Sequence, residues 1–152
     1  MRIDILHGPN LNLLGEREVA IYGTVSLAAI DARLQAVGAE LHVEIRTFQS
    51  NHEGALIDWL QDARSAADAF LLNAAGLTHT SVALRDAVAA IGPPVVEVHL
   101  SHPEAREPFR RTSLLADVVV ARVQGFGALG YELALRGVVD LLRRRAMVQG
   151  RP

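Results

Sequence analysis

The chain has 152 residues, half of them hydrophobic, and its formal net charge at pH 7 is −2. This length suits one domain with a single core, and the balanced charge lacks the basic surface typical of nucleic-acid-binding proteins. No apolar run approaches the roughly 20 residues needed to cross a bilayer, and Met1 and Arg2 lead into a strand pattern without a secretory signal. We therefore expect one cytoplasmic domain over residues 1–148, a loose tail at 149–152, and neither nucleic acid nor membrane as a partner.

Apolar stretches of strand length alternate with amphipathic stretches of helix length, which is typical of a parallel sheet covered by helices on both faces. The predicted strands lie near Arg2–Leu6, Leu41–Phe48, Phe70–Asn73, Val95–His99 and Val118–Val123. The pattern predicts an α/β fold, a flavodoxin-like five-stranded parallel sheet in the order 2-1-3-4-5. Sheets of this kind bind ligands beyond the carboxyl ends of their strands.

Four helices are predicted, three between the strands and one after the last strand. Ser26 is expected to cap the first helix, and Gly38 to stop it. The second is expected over about Glu53–Ala67 and the third over about Ser81–Ile91, while the last runs from near Leu129 to Arg145. Such helices cover both faces of the sheet and leave its carboxyl edge open.

Polar residues follow four of the predicted strands. They lie in the segments His7–Asn12, Gln49–Gly54, Asn73–Ser81 and His99–Ser101. One such loop is more often a set of ordinary turn and capping residues than a site. Four loops that converge on the ligand edge favour a binding site.

Two pairs of residues suggest acid–base chemistry. Glu97 and His99 are two residues apart on a strand, so both side chains point to one face and the carboxylate can orient the imidazole; a purely structural buried pair is an equal alternative. Arg17 and Tyr22 share one loop, where the guanidinium could lower the pKa of the phenol from its usual value of about 10. A tyrosine that only packs on its own loop is the alternative there.

Further candidates have weaker patterns. His79 is expected at a helix N-terminus, where the dipole disfavours a charged imidazole and favours a neutral binding group. The arginine-rich segment 106–113 is either a solvated stretch or a set of guanidinium contacts to ligand oxygens. Residues 125–130 fit the spacing GxGxxG, but they follow the last strand, so close helix–sheet packing explains them better.

Missing residue types restrict the chemistry. The chain contains no cysteine, and all 15 of its basic side chains are arginine. Thiolate nucleophiles, cysteine-bound zinc and a lysine imine are therefore excluded. The histidine spacings match no known metal site, so we expect neither metal nor organic cofactor.

The loops taken together resemble the type II 3-dehydroquinate dehydratases. The matching stretches span almost the whole chain in order: Gly8–Gly15, Arg17-Glu18 with Tyr22-Gly23, Phe48–Gly54, Thr78–Ser81 with Arg85-Asp86, Val96–His99 with Ser101, Arg106–Arg110, and Gly125–Gly127 with Gly130-Tyr131. The resemblance implies anti elimination of water from 3-dehydroquinate through an enol or enolate, giving 3-dehydroshikimate in aromatic amino-acid biosynthesis. It also implies a dodecamer built from trimers.

The resemblance also implies a role for each site residue. Tyr22 would be the base, with Arg17 lowering its pKa on a mobile lid, and His99, oriented by Glu97, would protonate the departing hydroxyl. Asn10 would help hold a water that stabilises the enolate oxygen, and Asp86 would reach the site of a neighbouring subunit. The ring hydroxyls would be bound by Asn73, His79 and Arg110, and the substrate carboxylate by Ser101 and the Leu100–Ser101 backbone.

Three positions depart from the family pattern. Val19 stands where proline is usual, His102 where asparagine is usual, and Ala75-Gly76 replaces a pair that begins with glycine. Without the two acid–base pairs, a non-catalytic flavodoxin-like module that binds phosphate or a nucleotide would be the preferred alternative.

Overall fold

The structure, a computed structural model, describes residues 1–16, 24–148 and 150. Within this part of the chain, parallel strands form one sheet in the order β2-β1-β3-β4-β5, which confirms the predicted fold class and strand order. The strands are β1 (Arg2–His7), β2 (Glu44–Gln49), β3 (Ala69–Asn73), β4 (Val95–His99) and β5 (Ala121–Gln124). The helices are α1 (Leu27–Leu41), α2 (Glu53–Ala63), α3 (Val82–Ala90) and α4 (Leu129–Val148).

Each face of the sheet has its own hydrophobic core. On one face, Ile30 and Leu34 of α1 and Leu135 of α4 pack against side chains of β1 such as Ile5. On the other face, α2 and α3 pack against the alternate strand residues, which include Leu6, Phe70 and Leu72. Because β3 is buried along its whole length, its sequence begins with a continuous apolar run, Ala69–Leu72. Strand β4 is equally buried but includes the polar residues Glu97 and His99.

The first helix continues beyond its predicted stop. Ser26 caps it as expected, since its Oγ accepts a hydrogen bond from the Ala29 N–H at 3.2 Å. Gly38, however, lies inside the helix, which ends at Leu41 with His42 in a left-handed cap (φ 56°). Gly38 is needed for packing, because a Cβ there would clash with the Ile45 side chain and lie 3.0 Å from the Val43 carbonyl oxygen. Strand β2 therefore begins at Glu44 and not at Leu41.

Other boundaries also move by a few residues. The valines at 118–120 precede β5, which begins at Ala121. The N–H groups of Val118 and Val119 donate to the Leu115 carbonyl in a turn, and both side chains pack against the core. Helix α4 passes its expected end at Arg145. Apart from Gly150, the expected tail at 149–152 lies outside the described residues. No helix among the described residues is both long and apolar enough to span a bilayer.

Candidate active site

A pocket of about 290 Å³ opens beyond the carboxyl ends of β1, β3 and β4. This is the edge at which the sequence predicts a ligand site, because parallel strands all deliver their following loops there. The residues that line the pocket are Pro9, Asn10, Leu11, Leu14, Asn73, Ala75, Gly76, His79, His99, Leu100, Ser101, Pro103, Arg106 and Arg110.

The loop after β1 is fixed by close backbone packing. The Gly8 N–H donates to the Asn73 carbonyl at 2.8 Å, and a Cβ at Gly8 would lie 2.8 Å from the Ala74 carbonyl carbon. Only glycine permits this approach. Asn10 then takes a left-handed conformation (φ 68°) that asparagine tolerates, and its N–H donates to Asn51 Oδ1 at 2.8 Å. The loop thus carries Asn10 into the pocket.

Asn73 is held from two sides at the end of β3. Its Oδ1 accepts from the Ala75 N–H at 3.2 Å, which supports the left-handed conformation of Ala75 (φ 52°). Its side chain is also hydrogen bonded to the buried hydroxyl of Tyr131. That hydroxyl lies 2.9 Å from His7 Nδ1, and His7 Nε2 lies 3.0 Å from Asp31 Oδ1. Burial raises the pKa of Tyr131, so this phenol stays protonated.

His99 and Glu97 form the close pair that their spacing predicts. His99 Nε2 lies 2.6 Å from Glu97 Oε1, and both side chains are buried. Since a carboxylate oxygen accepts, Nε2–H is the donor. The other ring nitrogen, Nδ1, is then the atom with which His99 can exchange a proton with a bound molecule. This is the geometry of a general acid whose orientation a carboxylate fixes.

Glu97 is fully buried, and three side chains stabilise its charge. Ser113 Oγ donates to it at 3.0–3.1 Å, Arg122 Nε lies 2.9 Å from Oε2, and His99 occupies Oε1. Burial alone raises the pKa of Glu97, but the hydrogen bond from His99 and the charges of His99 and Arg122 outweigh it, so the pKa is lowered overall. Glu97 is therefore a carboxylate that orients His99 and not a proton donor.

His79 lies just before the N-terminus of α3. It ends the 3₁₀ turn Ala75–His79 and precedes the cap of α3, Ser81, whose Oγ accepts from the Leu84 N–H at 2.8 Å. His79 thus lies two residues before the cap of α3, which begins at Val82, and outside the helix itself. His79 Nδ1 donates to the Thr112 carbonyl at 2.7 Å. In the neutral ring, this bond leaves Nε2 as an acceptor for a hydroxyl group.

Two arginines from the segment after β4 line the pocket. Arg106 Nη1 lies 3.5 Å from Ser101 Oγ, and Arg106 Nε lies 3.6 Å from Glu107. Arg110 Nε donates to Glu107 Oε2 at 2.7 Å. Glu107 thereby contacts both guanidinium groups, and both arginines line the pocket, where they can meet a carboxylate or hydroxyl group.

Most of the predicted site residues come together here. Asn10, Asn73, His79, His99, Leu100, Ser101 and Arg110 line the pocket, and Glu97 lies behind His99. Asp86 is 66% exposed on α3 and is not among the described lining residues. Arg17 and Tyr22 lie outside the described residues.

The sequence predictions left out three contributors. Arg106 was considered only as part of a charged stretch, although it lines the pocket. Ser113 ends the same stretch but is given no role of its own, and Arg122 is not among the candidates; both contact Glu97. Arg122 could have been found from strand order, because β4 and β5 are neighbours and an arginine on β5 can pair with an acid on β4.

The described residues contain no group of three or more His, Asp or Glu side chains suited to bind a metal ion. The independence of catalysis from metal and organic cofactors stays a prediction, to be tested by activity after chelation.

Known proteins resemble this chain over nearly its whole length. The family model for class II dehydroquinases matches residues 1–139. A protein of Desulforudis audaxviator named 3-dehydroquinate dehydratase is 56% identical over 147 residues, which are 97% of this chain and 98% of the relative. One of Gemmatimonas aurantiaca with the same name is 55% identical over 142 residues, 93% of each chain. The crystal structure of the type II dehydroquinase from Butyrivibrio crossotus matches with a TM-score of 0.89 and 36% identity, covering 91% of this chain and 97% of that one.

Proposed function

Since the chain belongs to the class II dehydroquinase family, we propose that the pocket beyond β1, β3 and β4 is where it removes water from 3-dehydroquinate. The activity is that of a hydro-lyase acting on this substrate. The observation that carries the assignment to this pocket is the 2.6 Å contact between His99 Nε2 and Glu97 Oε1, which leaves Nδ1 of a pocket-lining imidazole for proton transfer.

Elimination needs a base and an acid. The C3 carbonyl makes the C2 proton acidic, and a base that removes it leaves an enolate; loss of the C1 hydroxyl then needs a proton. Tyr22 is the proposed base, with Arg17 in the same loop five residues earlier, and this assignment rests on the family resemblance. His99 is the proposed acid, and it donates from Nδ1 while Glu97 holds Nε2.

The remaining lining residues suit a polyhydroxylated ring with one carboxylate. We assign the substrate carboxylate to Ser101 and the Leu100–Ser101 backbone, because Arg106 Nη1 lies 3.5 Å from Ser101 Oγ and supplies a cation there. Asn73, His79 and Arg110 bind ring hydroxyls, and Asn10 holds the water that stabilises the enolate oxygen. The fixed side chains of Asn73 and His79 support these roles, because hydrogen bonds already hold both in place.

The activity is tested by following the absorbance of the conjugated enone that forms from 3-dehydroquinate. We expect turnover by the purified chain without any added cofactor, after exhaustive chelation, and in the presence of borohydride, since the chain has no lysine for an imine. Absence of enone formation would refute the function. Loss on chelation with restoration by one metal would instead refute only the cofactor-free mechanism.

Assembly and location are further parts of the proposal. We propose trimers that associate into a dodecamer in the cytoplasm, within the shikimate pathway. Asp86 supports a shared site, because it is 66% exposed and is absent from the described lining of its own subunit's pocket. Light scattering measures the oligomeric state of the wild type and of Asp86→Ala, and we expect the variant to bind substrate more weakly. A wild-type protein that is monomeric and fully active would contradict the arrangement.

A further inference from the structure

Arg122 of β5 lies directly beside the carboxylate that holds His99. Glu97 and Arg122 are register partners in the parallel ladder between β4 and β5, so their side chains leave the same face of the sheet. Arg122 Nε lies 2.9 Å from Glu97 Oε2. The carboxylate is fully buried, while the arginine side chain is 29% exposed. A cation from the edge strand thus reaches into the sheet to meet a buried anion.

This pairing has a consequence for an acid that must release its proton. While His99 is protonated, the imidazolium and Arg122 both balance the charge of Glu97. Once the proton leaves, a buried carboxylate without another cation would be uncompensated, and its cost would oppose the transfer. Arginine cannot lose its own proton in a protein, so Arg122 supplies a cation in both states of His99.

We propose that Arg122 is a positioning residue for the elimination: it holds Glu97 as a carboxylate on His99 Nε2 and thereby allows His99 to release its proton. The inference rests on the proposed role of His99 as the acid. Each oxygen of Glu97 has its own partner: Oε1 contacts His99 Nε2, and Oε2 contacts Arg122 Nε.

Other charged or titratable side chains lie in the neighbouring segments, and they contact groups other than Glu97. Arg106, Arg110 and His79 line the same pocket as His99. Glu104 lies in the segment after β4, where His102 Nε2 is 3.4 Å from Glu104 Oε2. Arg106 and Arg110 are bound to Glu107, and His79 is bound to a backbone carbonyl. Glu104 contacts Arg122 itself at 3.2 Å.

Arg122 could also serve only to brace the surface. Its Nη2 lies 3.2 Å from Glu104 Oε1 and 3.3 Å from Gln124 Oε1, and Gln124 Nε2 donates to Glu104 Oε2 at 2.7 Å. If this surface cluster were the main role of Arg122, removing Glu104 would reproduce the effect of removing Arg122. Glu104→Gln is therefore the matched control.

The test is the pH profile of kcat for Arg122→Gln at saturating 3-dehydroquinate. Loss of a cation beside Glu97 favours the protonated imidazole, so the basic limb of the profile should move upward by about one pH unit. kcat near neutral pH should fall by up to about tenfold because the proton is held more tightly, and KM should change less. Arg122→Lys keeps the charge and should restore the position of the limb. Glu104→Gln should leave it in place or move it to lower pH.

Each outcome bears on one claim. A basic limb unchanged in Arg122→Gln, or moved equally by Glu104→Gln, overturns the inference about Arg122 while the activity stands. If Arg122→Gln does not fold, the Arg122→Lys profile still decides: a basic limb that moves to higher pH although the cation is kept, or a wild type without a basic limb, overturns the inference. If wild-type protein forms no enone, the proposed function itself has failed.

Discussion

Three histidines of this chain show how the neighbouring atom determines what an imidazole can do. His99 donates Nε2–H to a carboxylate, and its Nδ1 is left for the pocket. His79 donates Nδ1–H to a carbonyl, and its Nε2 is left as an acceptor. His7 has both ring nitrogens in contact with side chains, Tyr131 and Asp31, so it is a structural group. Only the first arrangement combines a carboxylate partner with a free proton-transfer atom at the pocket.

At this scale we expect His99→Asn to lower the rate of elimination by about 10²–10⁴, the range for a positioned acid. Ser113 and Arg122 still contact Glu97 in this variant, so the buried carboxylate keeps partners. Exchange of the C2 proton with solvent should persist better than product formation, because only departure of the hydroxyl needs the acid. Deuterium incorporation measured by NMR beside enone formation separates the two steps.

The control for that variant is His42→Asn. His42 caps α1 in a left-handed conformation that asparagine also adopts, and it lies away from the pocket. It should retain full activity. Equal losses of exchange and elimination in His99→Asn would instead show that His99 only binds substrate.

At the scale of the element, two helical glycines offer a matched comparison. Gly38→Ala should destabilise the fold by about 1–3 kcal/mol, because the new methyl meets the Ile45 side chain and the Val43 carbonyl oxygen. Gly137→Ala in α4 meets no heavy atom within 4 Å, so it should stabilise by about 0.5–1 kcal/mol through helix propensity alone. Urea unfolding measures both. If both variants changed the free energy of unfolding in the same direction, packing against β2 would not be the reason for glycine at position 38.

At the scale of the whole molecule, the charge pattern predicts how stability depends on pH. The carboxyl groups whose pKa is lowered by their partners are Glu97, Glu104, Glu107, Asp117 and Glu132. A lowered pKa in the folded state gives stability that is present above the unfolded pKa, about 4.3 for glutamate, and is lost as pH falls through the folded value. The free energy of unfolding should therefore fall as the solution is acidified below about pH 4–5.

Glu97 should dominate this dependence, because its side chain is fully buried whereas that of Asp117 is 66% exposed and screened by solvent. Denaturant unfolding at several pH values should show a flatter acid slope for Glu97→Gln than for the wild type. Asp117→Asn should keep the wild-type slope. Identical slopes in all three proteins would mean that the buried pair does not control acid stability.

The sequence by itself determined what local geometry controls. The alternation of strands and helices predicted the order of the sheet, and the polar loops after the strands predicted the edge that holds the pocket. The period of two along a strand was enough to bring Glu97 and His99 together. Ser26 could be recognised as a cap because a cap depends only on the next three residues.

Tertiary structure alone decided the contacts between residues far apart in the chain. Arg122 and Ser113 meet Glu97 because of the register between β4 and β5 and the path of the segment before β5. Local propensity predicts that Gly38 ends the helix. The residue is instead a glycine inside the helix because the Ile45 side chain lies too close for a Cβ. Propensity and spacing describe a segment in isolation, whereas burial, register and close packing depend on which segment lies beside it.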